Sequence, residues 1–84
     1  MDRIVREEDL QSFELFLTED ERSVLTVKKY ARDIRAFFVF ADGKKVEKPL
    51  VMAYKERLSR THTISSANSM LAALNSFFRF FGAL

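Results

Sequence analysis

Eighty-four residues, nearly half of them apolar and nine of them Phe, can fill one hydrophobic core but not two, because a chain of this size buries only roughly 60–65% of its unfolded surface. Cysteine is absent and His62 is the single histidine, which excludes a disulfide framework, thiolate metal sites and a histidine cluster, so neither metal nor cofactor is expected. The net charge of +2 conceals an asymmetry: residues 1–22 carry eight acidic against three basic side chains, and the remaining 62 carry eleven basic against four acidic.

The spacing predicts a first helix over about Glu8 to Asp20, with Leu10, Phe13 and Leu17 on one face, Phe16 flanking them and an acidic first turn that suits a helix N-terminus. The acidic TEDER run leads out of it. Ser23 is the expected N-cap of a second helix that reaches Ala41, because Val27, Tyr30, Ile34, Phe37, Phe38 and Ala41 recur at helical spacing and Asp42-Gly43 then stops it. DGKKVEK reads as a short basic loop. Pro49 falls in the first turn of a third helix, Pro49 to Ser59, whose Leu50, Tyr54 and Leu58 share a face, and RTHTI reads as the link onward. The fourth helix is expected from Ser65 or Ser66 to Phe81, before Gly82, burying Ala67, Met70, Leu71, Leu74, Phe77, Phe78 and Phe81. Phe80 projects about 100° from Phe81, and is expected to be exposed. No strand pattern competes, so the fold class is all-α, a small orthogonal four-helix bundle formed by a single domain over residues 1–84.

Two outward stripes could carry function. Lys28, Arg32 and Arg35 align on the second helix opposite the Tyr30/Ile34/Phe37 face, with Lys29 beside them and Lys44 and Lys45 in the loop that follows. A row of cations can neutralise phosphates along a groove wall. The plain alternative is a solvated face in which Lys29 pairs with Asp33 at i, i+4. On the fourth helix Asn68, Ala72, Asn75 and Arg79 line up, flanked by Ser69. Asn can bond an adenine edge bidentately, and Ala lets the backbone approach closely. Catalytic constellations are missing: His62 lies in a polar link, Tyr30 and Tyr54 fall on apolar faces, no Gly-rich phosphate loop is present, and the carboxylates cluster in the leader without metal-ligand spacing. Neither a signal peptide nor an apolar stretch approaching ~20 residues interrupts the chain, so a cytoplasmic protein without membrane contact is expected.

The stretch SVLTVKKYARDIRAFFVFA resembles a tyrosine-recombinase pattern, carried by Ser23, Thr26, Tyr30, Asp33-Ile34 and Phe37. SANSMLAALNSFFRFFG resembles that family's second hallmark through Asn68, Leu71, Ala73, Leu74, Ser76, Phe77 and Phe78. The opening FELFL resembles the helix that begins such domains, so the likeness runs over roughly residues 8–82. Asn75 and Ser69 stand where Arg is common. The resemblance implies a SAM-like integrase N-terminal, or core-binding, domain that grips duplex DNA at a recombination half-site. Its partners would be a following catalytic domain, which holds the Arg, Lys, His, Arg and Tyr set, and other recombinase protomers. On that reading the chain itself is not an enzyme, takes no small-molecule ligand, and belongs to a prokaryotic protein located at the nucleoid when bound. The candidate DNA contacts are Thr26, Lys28, Lys29, Arg32, Arg35, Lys44, Lys45, Asn68, Ser69, Ala72, Asn75 and Arg79. The alternatives are a helix-turn-helix regulator, which needs a short turn that RTHTI fits poorly, and a SAM-type protein-interaction module that docks through FFRFF.

Overall fold

In the computed structural model, which describes residues 4–81, the chain forms four helices: α1 (Glu7–Glu19), α2 (Val24–Ala41), α3 (Lys48–Thr61) and α4 (Ile64–Phe80). Local chemistry accounts for each boundary. The Arg6 amide donates to Asp9 Oδ2 at 2.9 Å, and the acidic first turn of α1 complements the helix dipole. Glu21 then adopts a left-handed φ of 59°, while the Arg22 amide donates to the Leu17 carbonyl at 3.1 Å, closing the C-terminus. Ser23 caps α2 as its spacing predicts, accepting from the Thr26 amide at 3.1 Å. Asp42 in the left-handed region, followed by Gly43 at φ 77°, ends α2.

The link between α3 and α4 is shorter than RTHTI suggests. Arg60 and Thr61 continue α3, only His62 and Thr63 lie between the helices, and Thr63 rather than a serine is the N-cap of α4, accepting from the Ser66 amide at 3.2 Å. Linker length therefore does not speak against a helix-turn-helix. Gly82, the expected stop of α4, lies outside the described residues.

The helices enclose one core. Phe13 of α1 meets Phe77 of α4 edge-on at 5.5 Å, while Phe37 of α2 contacts Tyr54 of α3 at 5.1 Å and Phe78 at 5.8 Å. Such aromatic pairs add to the burial of area itself. Leu10, Leu17, Ile34, Leu58 and Leu74 fill the space between the rings, and Val46 closes it from the loop that reads as merely basic. α2 makes its most extensive contact with α4, and α1 and α3 also pack against both of these helices.

Phe80 departs from expectation. It is half-buried, with its ring 4.9 Å from that of Phe16 and 5.5 Å from that of Phe13. Ala73, one side of the expected inward arc, is fully buried, so α4 buries a wider arc than a single apolar stripe and Phe80 falls within its edge. Phe77 and Phe78 are fully buried and Phe81 packs on the core, so FFRFF is not an open docking face.

Candidate nucleic-acid interface

The outward stripe of α2 begins with its cap. Thr26 Oγ1 accepts from the Ser23 hydroxyl at 2.8 Å, so this hydroxyl is engaged in holding the helix start. Lys28 and Arg32 project to solvent. Lys29 donates to the Asp33 carboxylate, which is only 5% exposed, and Arg32 lies 3.7 Å from the other oxygen of the same carboxylate. The i, i+4 pair read as the plain alternative is thus formed, but it ties down Lys29 and leaves the Arg32 side chain 76% exposed. Arg35, the third member of the stripe, donates through Nη2 to Glu7 Oε1 at 2.7 Å, and Glu14 is 3.6 Å away. The hydrogen bond to Glu7 raises the affinity of this guanidinium for its proton, so it stays charged while part of its field is cancelled locally.

α4 presents Asn68, Ser69, Ala72, Asn75 and Arg79, all exposed, and Arg79 lies in the last turn, where a cation complements the helix dipole. The two helices meet at a cleft of about 370 Å³ lined by Lys29, Arg32, Asp33 and Ala36 of α2, by His62, and by Ser66, Ser69 and Met70 of α4. This cleft gathers three of the expected contacts, Lys29, Arg32 and Ser69, around one opening. It adds His62 and Ser66, which sequence reasoning missed. The signal for them was the spacing of Thr63 and Ser66, a cap and its third helical residue: taking Thr63 as the cap places His62 immediately outside α4 and Ser66 one turn before Ser69.

The remaining candidates lie elsewhere. Asn75 lines a separate cleft of about 340 Å³ with Lys48 and Lys55 of α3, two cations spaced by seven residues that sequence reasoning also missed. Lys45 borders a shallow depression with Arg6, Glu8 and Asp9, and Lys44 is exposed in the same loop. The expected set is therefore one central group on α2 and α4 with outliers on two sides.

Among the described residues, no group of three or more His, Cys, Asp or Glu side chains is placed to hold a metal ion, and no helix is long and apolar enough to cross a membrane. Tyr54 is a core residue, 3% exposed, and Tyr30 is half-buried against Phe13 at 6.4 Å. Comparison with curated proteins and with solved structures gave no match. A family model described as phage integrase, N-terminal SAM-like domain, matches residues 10–82, a span that contains all four helices except the first turn of α1. A four-helix chain whose two hallmark segments form the packed α2/α4 pair, and whose match runs over nearly its whole length, belongs to the family of phage integrase N-terminal SAM-like domains, the N-terminal domain of tyrosine recombinases.

Proposed function

We propose that this domain binds duplex DNA through α2 and α4, as the core-binding half of a recombinase that grips a recombination half-site. The observation that carries the reading is the shared α2/α4 cleft, where Lys29, Arg32, Ser66, Ser69 and His62 converge, with Lys28 exposed on the same α2 stripe as Arg32. Arg32 and the hydroxyls at this opening suit phosphate oxygens, with Lys29 held by Asp33 at its edge, and the exposed Asn68 of α4 suits a base edge. Cutting and rejoining of DNA would fall to a catalytic domain following this one, with other protomers completing the assembly.

Titration against duplex DNA at two salt concentrations tests the proposal. One small face makes few phosphate contacts, so binding is expected to be weak and to weaken further with salt. Arg32→Ala or Lys28→Ala should reduce binding to all sequences and flatten the salt dependence, whereas Asn68→Ala should change preference at one base position by about 1–3 kcal/mol. An affinity indifferent to salt overturns the reading.

A further inference from the structure

The α2 stripe does not end with its cations. Eleven residues beyond Lys28, and so within about 20° of it around the helix, stands Val39, which is 81% exposed. Singly exposed apolar residues are common on protein surfaces and need no explanation by themselves. What distinguishes Val39 is its place. On α2 and α4, the other large apolar residues that are strongly exposed, Val24, Leu25 and Ile64, sit in first turns, while Val39 lies on the line of Lys28, Arg32 and Arg35 and precedes Lys44 and Lys45 in the chain. The small Ala36 precedes it by one turn, and both residues line a cleft of about 700 Å³ with Phe40 and Met70. The cleft at Arg32 and this one share Ala36, His62 and Met70, so the two are continuous.

We propose that Val39 is a specificity residue that contacts the C5-methyl group of a thymine in the DNA major groove. The inference rests on α2 facing DNA, as proposed above. A helix rises about 1.5 Å per residue, so Val39 lies roughly 10 Å along α2 from Arg32. That distance is within the ~12 Å width of the major groove. With Arg32 on the phosphates of one wall, Val39 faces base edges. The thymine methyl is the one apolar feature those edges offer, and it distinguishes thymine from cytosine and from uracil. An exposed aliphatic side chain that continues a row of cations matches that surface.

The test uses the whole 84-residue chain and a duplex enriched from a random-sequence pool at low salt. Affinity is measured for that duplex and for versions in which each thymine in turn is replaced by deoxyuridine. For the wild-type chain, one replacement should weaken binding about fourfold, the effect of one buried methyl group. Val39→Ala should bind the thymine and deoxyuridine duplexes alike, at the level of the wild type on deoxyuridine. Because Val39 is exposed and Ala favours helix, this variant should fold, and circular dichroism confirms it. Salt-dependent binding with no deoxyuridine effect in the wild type, or with the effect intact in Val39→Ala, overturns the role of Val39 while leaving DNA binding standing. Salt-independent or absent binding overturns both. Self-association abolished by Val39→Asp, with base preference unchanged, would assign the side chain to a protein contact instead and overturn the proposal.

Discussion

Arg35 of α2 and Glu7 of α1 are joined by a hydrogen bond of 2.7 Å across twenty-eight residues of sequence, with Glu14 3.6 Å from the same guanidinium. The acidic leader thus folds back on the basic body and shields one end of the stripe proposed to meet DNA. Both Arg35 and Glu7 are about half exposed, and pairs in such positions contribute only ~0–1 kcal/mol to folding. Their effect on a polyanion should be larger than their effect on stability. Glu7→Gln combined with Glu14→Gln is expected to tighten DNA binding severalfold at low salt and to steepen the salt dependence by about one released counterion, with little change in melting temperature. Fluorescence anisotropy at a series of salt concentrations measures both quantities. An unchanged slope would mean that Arg35 does not approach DNA.

Tyr54 poses a different electrostatic question. Its hydroxyl is buried and has no hydrogen-bond partner among the described residues. Burial, reinforced by the negative charge of Asp33 and offset in part by Arg57, pushes its pKa above the ordinary tyrosine value. The folded state therefore holds this proton more tightly than the unfolded state does. Stability from this site is constant below the unfolded pKa of about 10 and falls as pH rises from there through the folded value. Tyr54→Phe should leave stability at pH 7 unchanged or raise it by up to ~1–2 kcal/mol, because a polar group without a partner leaves the core. The variant should also lose part of the alkaline decline. Urea unfolding at pH 8 and at pH 10.5 checks both; a variant less stable at pH 8 would show that the hydroxyl makes a favourable interaction.

The turn after α2, closed by the Lys44 amide donating to the Ala41 carbonyl at 3.0 Å, requires a left-handed backbone. Gly43 has φ 77°, and a Cβ placed there would meet nothing within 4 Å. Gly43→Ala should consequently cost about 1 kcal/mol from strain in the left-handed region, without a steric clash. Thermal unfolding reads this as a shift of about 4–8 °C for a domain of this size. DNA binding at saturating protein should be unchanged, because Lys44 and Lys45 keep their place once the domain is folded.

Sequence periodicity reached the four helices, the Ser23 cap, the Asp42-Gly43 stop and the outward stripes, because each of these depends on spacing within one segment. What it missed depends on neighbours. Thr63 is hard to read as the cap because Ser65 and Ser66 follow it closely, and β-branched Ile64 in the first helical position obscures the start. Val46 is buried because the loop crosses the core, which no pattern in DGKKVEK records. The Arg35–Glu7 pair and the cleft that unites Arg32 with Ser69 are products of helix packing. Asn75 shares a periodic stripe with Asn68, yet it lines a cleft on the α3 side, because α3 packs along α4 there.

Phe80 shows the same limit at the scale of one ring, and it allows a quantitative test. A helical wheel places Phe80 beyond the apolar arc of α4, which would make its loss inconsequential. In the folded chain α1 covers that flank: Phe16 and Phe80 lie 4.9 Å apart with planes tilted by 38°, and Phe13 backs both rings. Phe16 is itself 46% exposed, so the pair forms a seam at the edge of the core rather than its centre. Truncating Phe80 to Ala should accordingly cost about 1–2 kcal/mol, less than the ~3–5 kcal/mol expected for the fully buried Phe77. Phe16→Ala and Phe80→Ala should also couple, since rings in contact contribute about 0.5–1.5 kcal/mol beyond the area they bury. In a double-mutant cycle followed by urea unfolding, the two changes together should cost less than the sum of each alone by that amount. Strict additivity would show that the rings do not meet in solution, and that α1 leaves the flank of α4 uncovered.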